Sequence, residues 1–181
     1  MSNTPEGLAV PVWMHRPRPG YTGRMQPHIG LAQFDSLPGH PDRNLAAMLE
    51  AVGRARDAGL DLVAFPEMAL PGYFLGDEWE NDRFVEDCLA ANETLREASR
   101  GITVIWGSVD AAPEMTGDDG RLRKYNAAFI ASDSQWLDNG VLQGRSYKTL
   151  LPNYREFDDK RHFFPLDRWA GERGLALSLI H

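Results

Sequence analysis

Leu60-Asp61-Leu62-Val63-Ala64-Phe65-Pro66-Glu67 is the stretch from which the fold of this chain can be read. Its apolar residues form a short, nearly continuous run, which suits a strand buried on both faces better than a surface strand. Pro66 and Glu67 close the run, so a carboxylate sits where a buried strand gives way to a loop. Upstream, His28-Ile29-Gly30-Leu31-Ala32-Gln33-Phe34 alternates as a strand does. Between the two, after the breakers Leu37-Pro38-Gly39-His40-Pro41, Asp42 is placed to cap a helix with Leu45, Met48, Leu49, Val52 and Ala55 on one face, ended by Gly59.

Downstream the alternation continues. A second helix is expected over 81–99, with Phe84, Val85, Cys88, Leu89, Leu95 and Ala98 inward, followed by a β-branched strand over 102–109. The polar turn Thr116-Gly117-Asp118-Asp119-Gly120 and a strand over 125–131 make a hairpin with a long loop. Asp138-Asn139-Gly140 marks another turn, before a strand around 141–146. In the tail 166–181, Leu166, Trp169, Leu177 and Ile180 suggest a helix, whereas Leu175, Leu177 and Leu179 alternate as in a strand; the helix is favoured. The order β-α-β-α-β-β-β is an α/β layered pattern without internal repeats.

At 181 residues with 43% hydrophobic content, the chain has room for one domain. Residues 1–27, with Pro5, Pro11, Pro17, Pro19 and Pro27 among their breakers, read as an irregular N-terminal arm, solvated rather than a basic patch despite Arg16, Arg18 and Arg24; residues 28–181 form the domain. A formal net charge of −7 argues against nucleic-acid or anionic-membrane partners, which need clustered cations, and leaves small solutes. A single cysteine cannot form an internal disulfide, and neither a leader nor an apolar run of spanning length is seen. The protein is expected to be cytoplasmic.

Two residues are candidates to carry chemistry. Glu67 at the strand mouth would be partly desolvated, which raises a carboxylate toward the range useful for a general base. Lys148, in Tyr147-Lys148-Thr149-Leu150-Leu151-Pro152-Asn153-Tyr154, would hold positive charge where an oxyanion develops. Taken alone, each reads more readily as a surface group than as a functional one. Covalent acyl transfer would also need a thiol. Cys88, however, shares a helical face with Val85, Leu89 and Leu95 and reads as a small core hydrophobe. Ser178 and His181 lack a nucleophile turn such as Gly-x-Ser-x-Gly, and both are weak candidates. The five histidines show no ligand spacing, so no metal is expected, and no phosphate-cradling glycine motif occurs.

In this order, the motifs Gly30-Leu31-Ala32-Gln33, Phe65-Pro66-Glu67-Met68-Ala69-Leu70-Pro71-Gly72-Tyr73, Lys124-Tyr125-Asn126-Ala127-Ala128 and Tyr147–Tyr154 resemble the nitrilase (carbon-nitrogen hydrolase) superfamily. Leu151-Pro152-Asn153-Tyr154, followed by Phe157-Asp158 and Arg161-His162-Phe163, is similar to the glutaminase domain of the glutamine-dependent NAD⁺ synthetase branch. The resemblance covers about residues 28–165. It implies a four-layer α-β-β-α sandwich, here incomplete at the C-terminus, and a Glu-Lys-Cys triad. Glu67 would be the base and Lys148 the stabiliser of the tetrahedral intermediate, while Tyr73 and Tyr154 match positions lining the glutamine pocket. It further implies no cofactor in this chain, ATP and Mg²⁺ in a partner synthetase domain that amidates deamido-NAD⁺ with the released ammonia, and a homo-oligomeric parent.

The departure is the nucleophile, for no cysteine follows Lys148. Well-kept motifs around a missing centre fit a fragment better than a natural protein that lost its thiol, and the chain as given is expected to be inactive. The alternatives are a general nitrilase-type amidase and a non-catalytic binding module that uses the old pocket.

Overall fold

A computed structural model describes residues 27–117, 120–138 and 140–175, together with the backbone of Val12–Met14. The first half alternates strand and helix: β2 (Ile29–Ala32, after a short β1 at Val12–Met14), α1 (Pro41–Asp57), β3 (Leu62–Ala64), α2 (Asp82–Ala98) and β4 (Thr103–Thr116). β2, β3 and β4 are parallel neighbours, with Leu31 beside Ala64 and Ala64 beside Ile105. The two parallel crossovers, β2–α1–β3 and β3–α2–β4, leave α1 and α2 packed against each other on one face of the sheet. There Met48, Val52 and Ala55 of α1 and Ala91 and Leu95 of α2 are buried in one cluster with Val63, Val104, Trp106 and Phe129.

The second half is antiparallel. β5 (Leu122–Ser132) returns along β4, with an irregularity between Ala112 and Thr116. The other edge of β5 is shared by β6 (Gln135–Trp136) and β7 (Arg145–Tyr147). A small ribbon of β8 (Asn153–Tyr154) and β9 (Phe157–Asp158) leads into the single turn α3 (Asp159–His162) and then α4 (Leu166–Glu172).

A buried amide ties α2 to the sheet: Asn92 accepts from the indole N–H of Trp106 at 2.9 Å and donates to the Val109 carbonyl at 3.0 Å. Asn44 does the same for the loops, bonding both to the Leu37 backbone and to the Leu70 carbonyl. Such pairing is what makes an interior amide tolerable.

Several expectations change in detail. α1 starts at Pro41 rather than being capped by Asp42; His40 precedes it, and Pro41, lacking an N–H and fixed in φ, suits the first turn. Leu45 and Leu49 are only partly buried, and Asn44 and Ala51 lie inward instead. The strand expected around 141–146 is a turn up to Gly144, with pairing confined to 145–147, because Gly144 has φ +69° and a side chain there would collide with Trp136. Within the arm expected to be irregular, Val12–Met14 pairs antiparallel with β2, and the remaining residues 1–26 lie outside those described. The helix favoured for the tail is present at Leu166–Glu172, while residues 176–181 are not described. Of the four layers, the described residues supply one helix layer and one seven-stranded sheet. On the opposite sheet face Ile29 and Leu31 are 38% and 55% exposed, and Leu62, Ala64, Ile105 and Ile130 are only half-buried.

Candidate active site

The loop after β3 crosses over β4 before it reaches α2, and the crossing is possible because residue 107 is glycine. A Cβ there would lie 2.4 Å from the Met68 nitrogen and 2.6 Å from the Glu67 Cα. The loop is pinned at that point: Gly107 N–H donates to the Pro66 carbonyl, and Leu70 N–H to the Gly107 carbonyl. Met68, buried, has φ +50°, and Phe74 has φ +60°. Two non-glycine residues in the left-handed region within seven positions mark backbone held against its preference, a state that persists where surrounding contacts overdetermine it.

That loop delivers Glu67 to the sheet face opposite the helices. One of its oxygens, Oε1, accepts three hydrogen bonds: from Lys148 Nζ at 2.6 Å, Asn126 Nδ2 at 2.7 Å and Tyr73 Oη at 2.9 Å. Asn126 comes from β5, where its pairing with Val109 turns it to this face. Lys148 follows β7, and its backbone N–H is fixed on the Asn126 carbonyl at 2.9 Å. A second carboxylate completes the group. Asp159, at the start of α3, is 3.3 Å from Tyr73 Oη and 3.8 Å from Lys148 Nζ, so the lysine lies between two acids.

The electrostatics follow from the packing. Burial pushes the Glu67 carboxyl up, but the hydrogen bonds from Lys148, Asn126 and Tyr73 and the lysine charge outweigh it, leaving the group below its ordinary range. The rise expected from desolvation alone is therefore reversed, and Glu67 is a carboxylate at neutral pH. Asp159 goes the other way: burial dominates and raises it, Lys148 and Tyr73 offset part of this, and Glu67 adds repulsion. Tyr73 is driven up by burial and then by its bond to Glu67, and stays protonated as a donor.

Beside the cluster lies a cavity of about 520 Å³ lined by Met68, Tyr73, Phe74, Trp79, Phe157 and Asp159, among others. Its size, with aromatic side chains on one wall and charged groups on another, suits a small polar solute. Tyr73 lines this cavity. Tyr154 does not: it is 62% exposed on the β8–β9 ribbon, and its ring meets Phe157 at 5.4 Å. Phe157 instead carries the aromatic wall, tilted on Phe74 at 5.2 Å and edge-on to Tyr73 at 6.2 Å. Cys88 is fully buried in α2, and burial pushes its thiol up to about 12, which removes it as a nucleophile. Ser178 and His181 lie outside the described residues. No group of three or more His, Cys, Asp or Glu suited to a metal ion occurs among the described residues.

Asn126 and Asp159 were not singled out from sequence. Asn126 stands in the quoted Lys124–Ala128 motif, which is the signal that could have found it; for Asp159 the signal is a second acid directly after Phe157-Asp158.

Comparison with known proteins bears on this geometry. The sequence pattern described as carbon-nitrogen hydrolase matches residues 28–174. The glutamine-dependent NAD(+) synthetase of Thermotoga maritima is 33% identical over 139 residues, covering 76% of this chain and 22% of that protein. The solved glutamine-dependent NAD⁺ synthetase of Acinetobacter baumannii superposes with a TM-score of 0.63 at 31% identity, over 76% of this chain and 23% of that one. An amidase from Nesterenkonia sp. superposes with a TM-score of 0.60 at 26% identity, over 76% of this chain and 48% of its own. A further structure of that amidase, 25% identical, carries an acetamide moiety covalently on its active-site cysteine. The chain thus spans about a fifth of the synthetases it matches.

Proposed function

Because this chain belongs to the carbon-nitrogen hydrolase family, we propose that it is the glutaminase portion of a glutamine-dependent NAD⁺ synthetase, with Glu67 as the general base and Lys148 as the electrostatic stabiliser of amide hydrolysis. The observation that carries the proposal is the convergence of Lys148, Asn126 and Tyr73 on one oxygen of Glu67. A carboxylate so held is ionised and fixed in position. It can take a proton from a thiol placed against it, and Lys148, 2.6 Å away, supplies positive charge next to the oxyanion that forms when the thiolate adds to the amide carbon. Asp159 acts through the lysine and Tyr73, limiting where each can point.

The thiol is not Cys88, and the chain has no other cysteine. It would come from sequence that joins this segment in the working enzyme. Glutamine would enter the cavity beside Tyr73, ammonia would pass to an ATP- and Mg²⁺-dependent synthetase domain, and no step on this chain's residues calls for either group. A cytoplasmic site, where thiols stay reduced, suits this chemistry. The amidase reading is weaker, since identity is 26% to the amidase against 33% and 31% to the synthetases.

The test uses a protein that carries this segment together with the thiol and the synthetase domain. Glu67→Gln should abolish glutamine-driven NAD⁺ formation and leave ammonia-driven formation largely intact, and Lys148→Ala should behave alike. Equal loss of both reactions in a folded variant would assign these residues to the synthetase chemistry or to the fold.

A further inference from the structure

A second cavity, about 650 Å³, shares His162 and Phe163 with the one beside Tyr73 but is lined by none of Glu67, Tyr73, Asn126 and Lys148. Its described lining carries six fixed cations, Arg121, Arg123, Lys124, Lys160, Arg161 and Arg168, against two carboxylates, Glu80 and Asp167. In a chain of net charge −7 this is a local inversion of sign. Cations do not gather in a concave site without cost, because each repels the others and the low-dielectric walls concentrate the field.

Among the described residues, the inner cations Lys124 and Arg123 are the ones whose pairing is incomplete. Glu80 is shared between Arg121 at 2.9 Å, the His162 ring at 3.3 Å and Lys124 at 3.6 Å. Lys124 is 3% exposed, and its ammonium makes no hydrogen bond among the described residues. Asp167 accepts a hydrogen bond from the backbone N–H of Arg168 within the first turn of α4. Arg123 is held by Glu172 at 2.6 Å, yet its buried Nε has no partner among the described residues. The guanidiniums are also fixed in place: Arg123 and Arg168 lie 3.8 Å and 4.5 Å from the centroid of the same ring, Phe164. Planar guanidinium forks held in place beside an ammonium match the oxygens of a phosphoryl group.

We propose that this cavity is a binding site for a small phosphorylated anion, with buried Lys124 and Arg123 as its inner contacts and exposed Lys160, Arg161 and Arg168 as its outer ones. The Asp77 and Asp158 partners of Arg161 are exposed, so exchanging them for a ligand costs little. The site is separate from the amide chemistry and can be tested without it. Inorganic pyrophosphate titrated calorimetrically into the 181-residue chain should bind at one site, and more weakly as salt is raised. The double variant Lys160→Glu/Arg168→Glu, both exposed positions, should bind at least roughly tenfold more weakly with an unchanged far-ultraviolet spectrum, and Lys160→Glu alone should fall between. Absence of saturable binding to the wild-type chain, undiminished binding by the double variant, or equal affinity for citrate would each overturn the proposal.

Discussion

Glu67 presents one oxygen to three donors, and this shapes how the site responds to substitution and to pH. Its folded carboxyl lies below the ordinary value, so the stabilisation from its partners is present in full above that ordinary value and is lost as pH falls through it and on through the folded one. The effect should be modest, since the Glu67 side chain is 47% exposed and solvent screens the pair. Urea unfolding of wild type and Glu67→Gln should therefore show a stability gap near neutrality that narrows in acid; a gap that widened would contradict the pairing. Chemistry gives a second expectation at this scale. The 181-residue chain should release no ammonia from glutamine beyond its Glu67→Gln control, because losing a nucleophile typically costs several orders of magnitude even with its helpers intact. Glu67 and Lys148 were both legible in the sequence, as the end of an apolar run and the start of a motif. The direction of the Glu67 shift was not, because it depends on three donors brought from separate parts of the chain.

At the level of elements, the site rests on one loop crossing one strand, and Gly107 is the point of crossing. Replacing it with alanine drives a Cβ into the Glu67–Met68 backbone, which cannot yield as a flexible side chain would. Gly107→Ala should cost roughly 1–3 kcal/mol of stability, as overpacking does, and should also displace Glu67 from Asn126. Chemical denaturation measures the first effect, and a crystal structure of the variant the second. Asn92→Ala tests the helix layer in the same way. It leaves the Trp106 indole N–H and the Val109 carbonyl without their partner and should cost roughly 1–3 kcal/mol, with no shift of the Glu67 cluster on the opposite face. The two helices, β2 to β5 and the hairpin were readable from periodicity. The β8–β9 ribbon and α3 were not, because two-residue strands and a single helical turn are too short to impose a period on the sequence.

Across the whole molecule, the described sheet is covered by helices on one face and open on the other, where Ile29 and Leu31 stand beside Leu62, Ala64, Ile105 and Ile130. Apolar surface on this scale binds hydrophobic dyes and promotes association. The 181-residue chain should enhance anilinonaphthalene sulfonate fluorescence, and Leu31→Lys, at an exposed position, should reduce that signal without loss of helix content; an unaffected signal would place the dye elsewhere. The sequence by itself determined the α/β class, the order of the main elements, the family and the identity of the Glu67–Lys148 pair, because apolar periodicity and short motifs are local properties of a chain. Only the tertiary structure decided that Asn126 and Asp159 join that pair, that Tyr154 is exposed and outside the cavity lining, and that six cations from three separate stretches line one cavity. Those facts depend on which distant residues share a sheet face or a loop crossing, and side-chain direction across such separations is set by packing rather than by sequence neighbours.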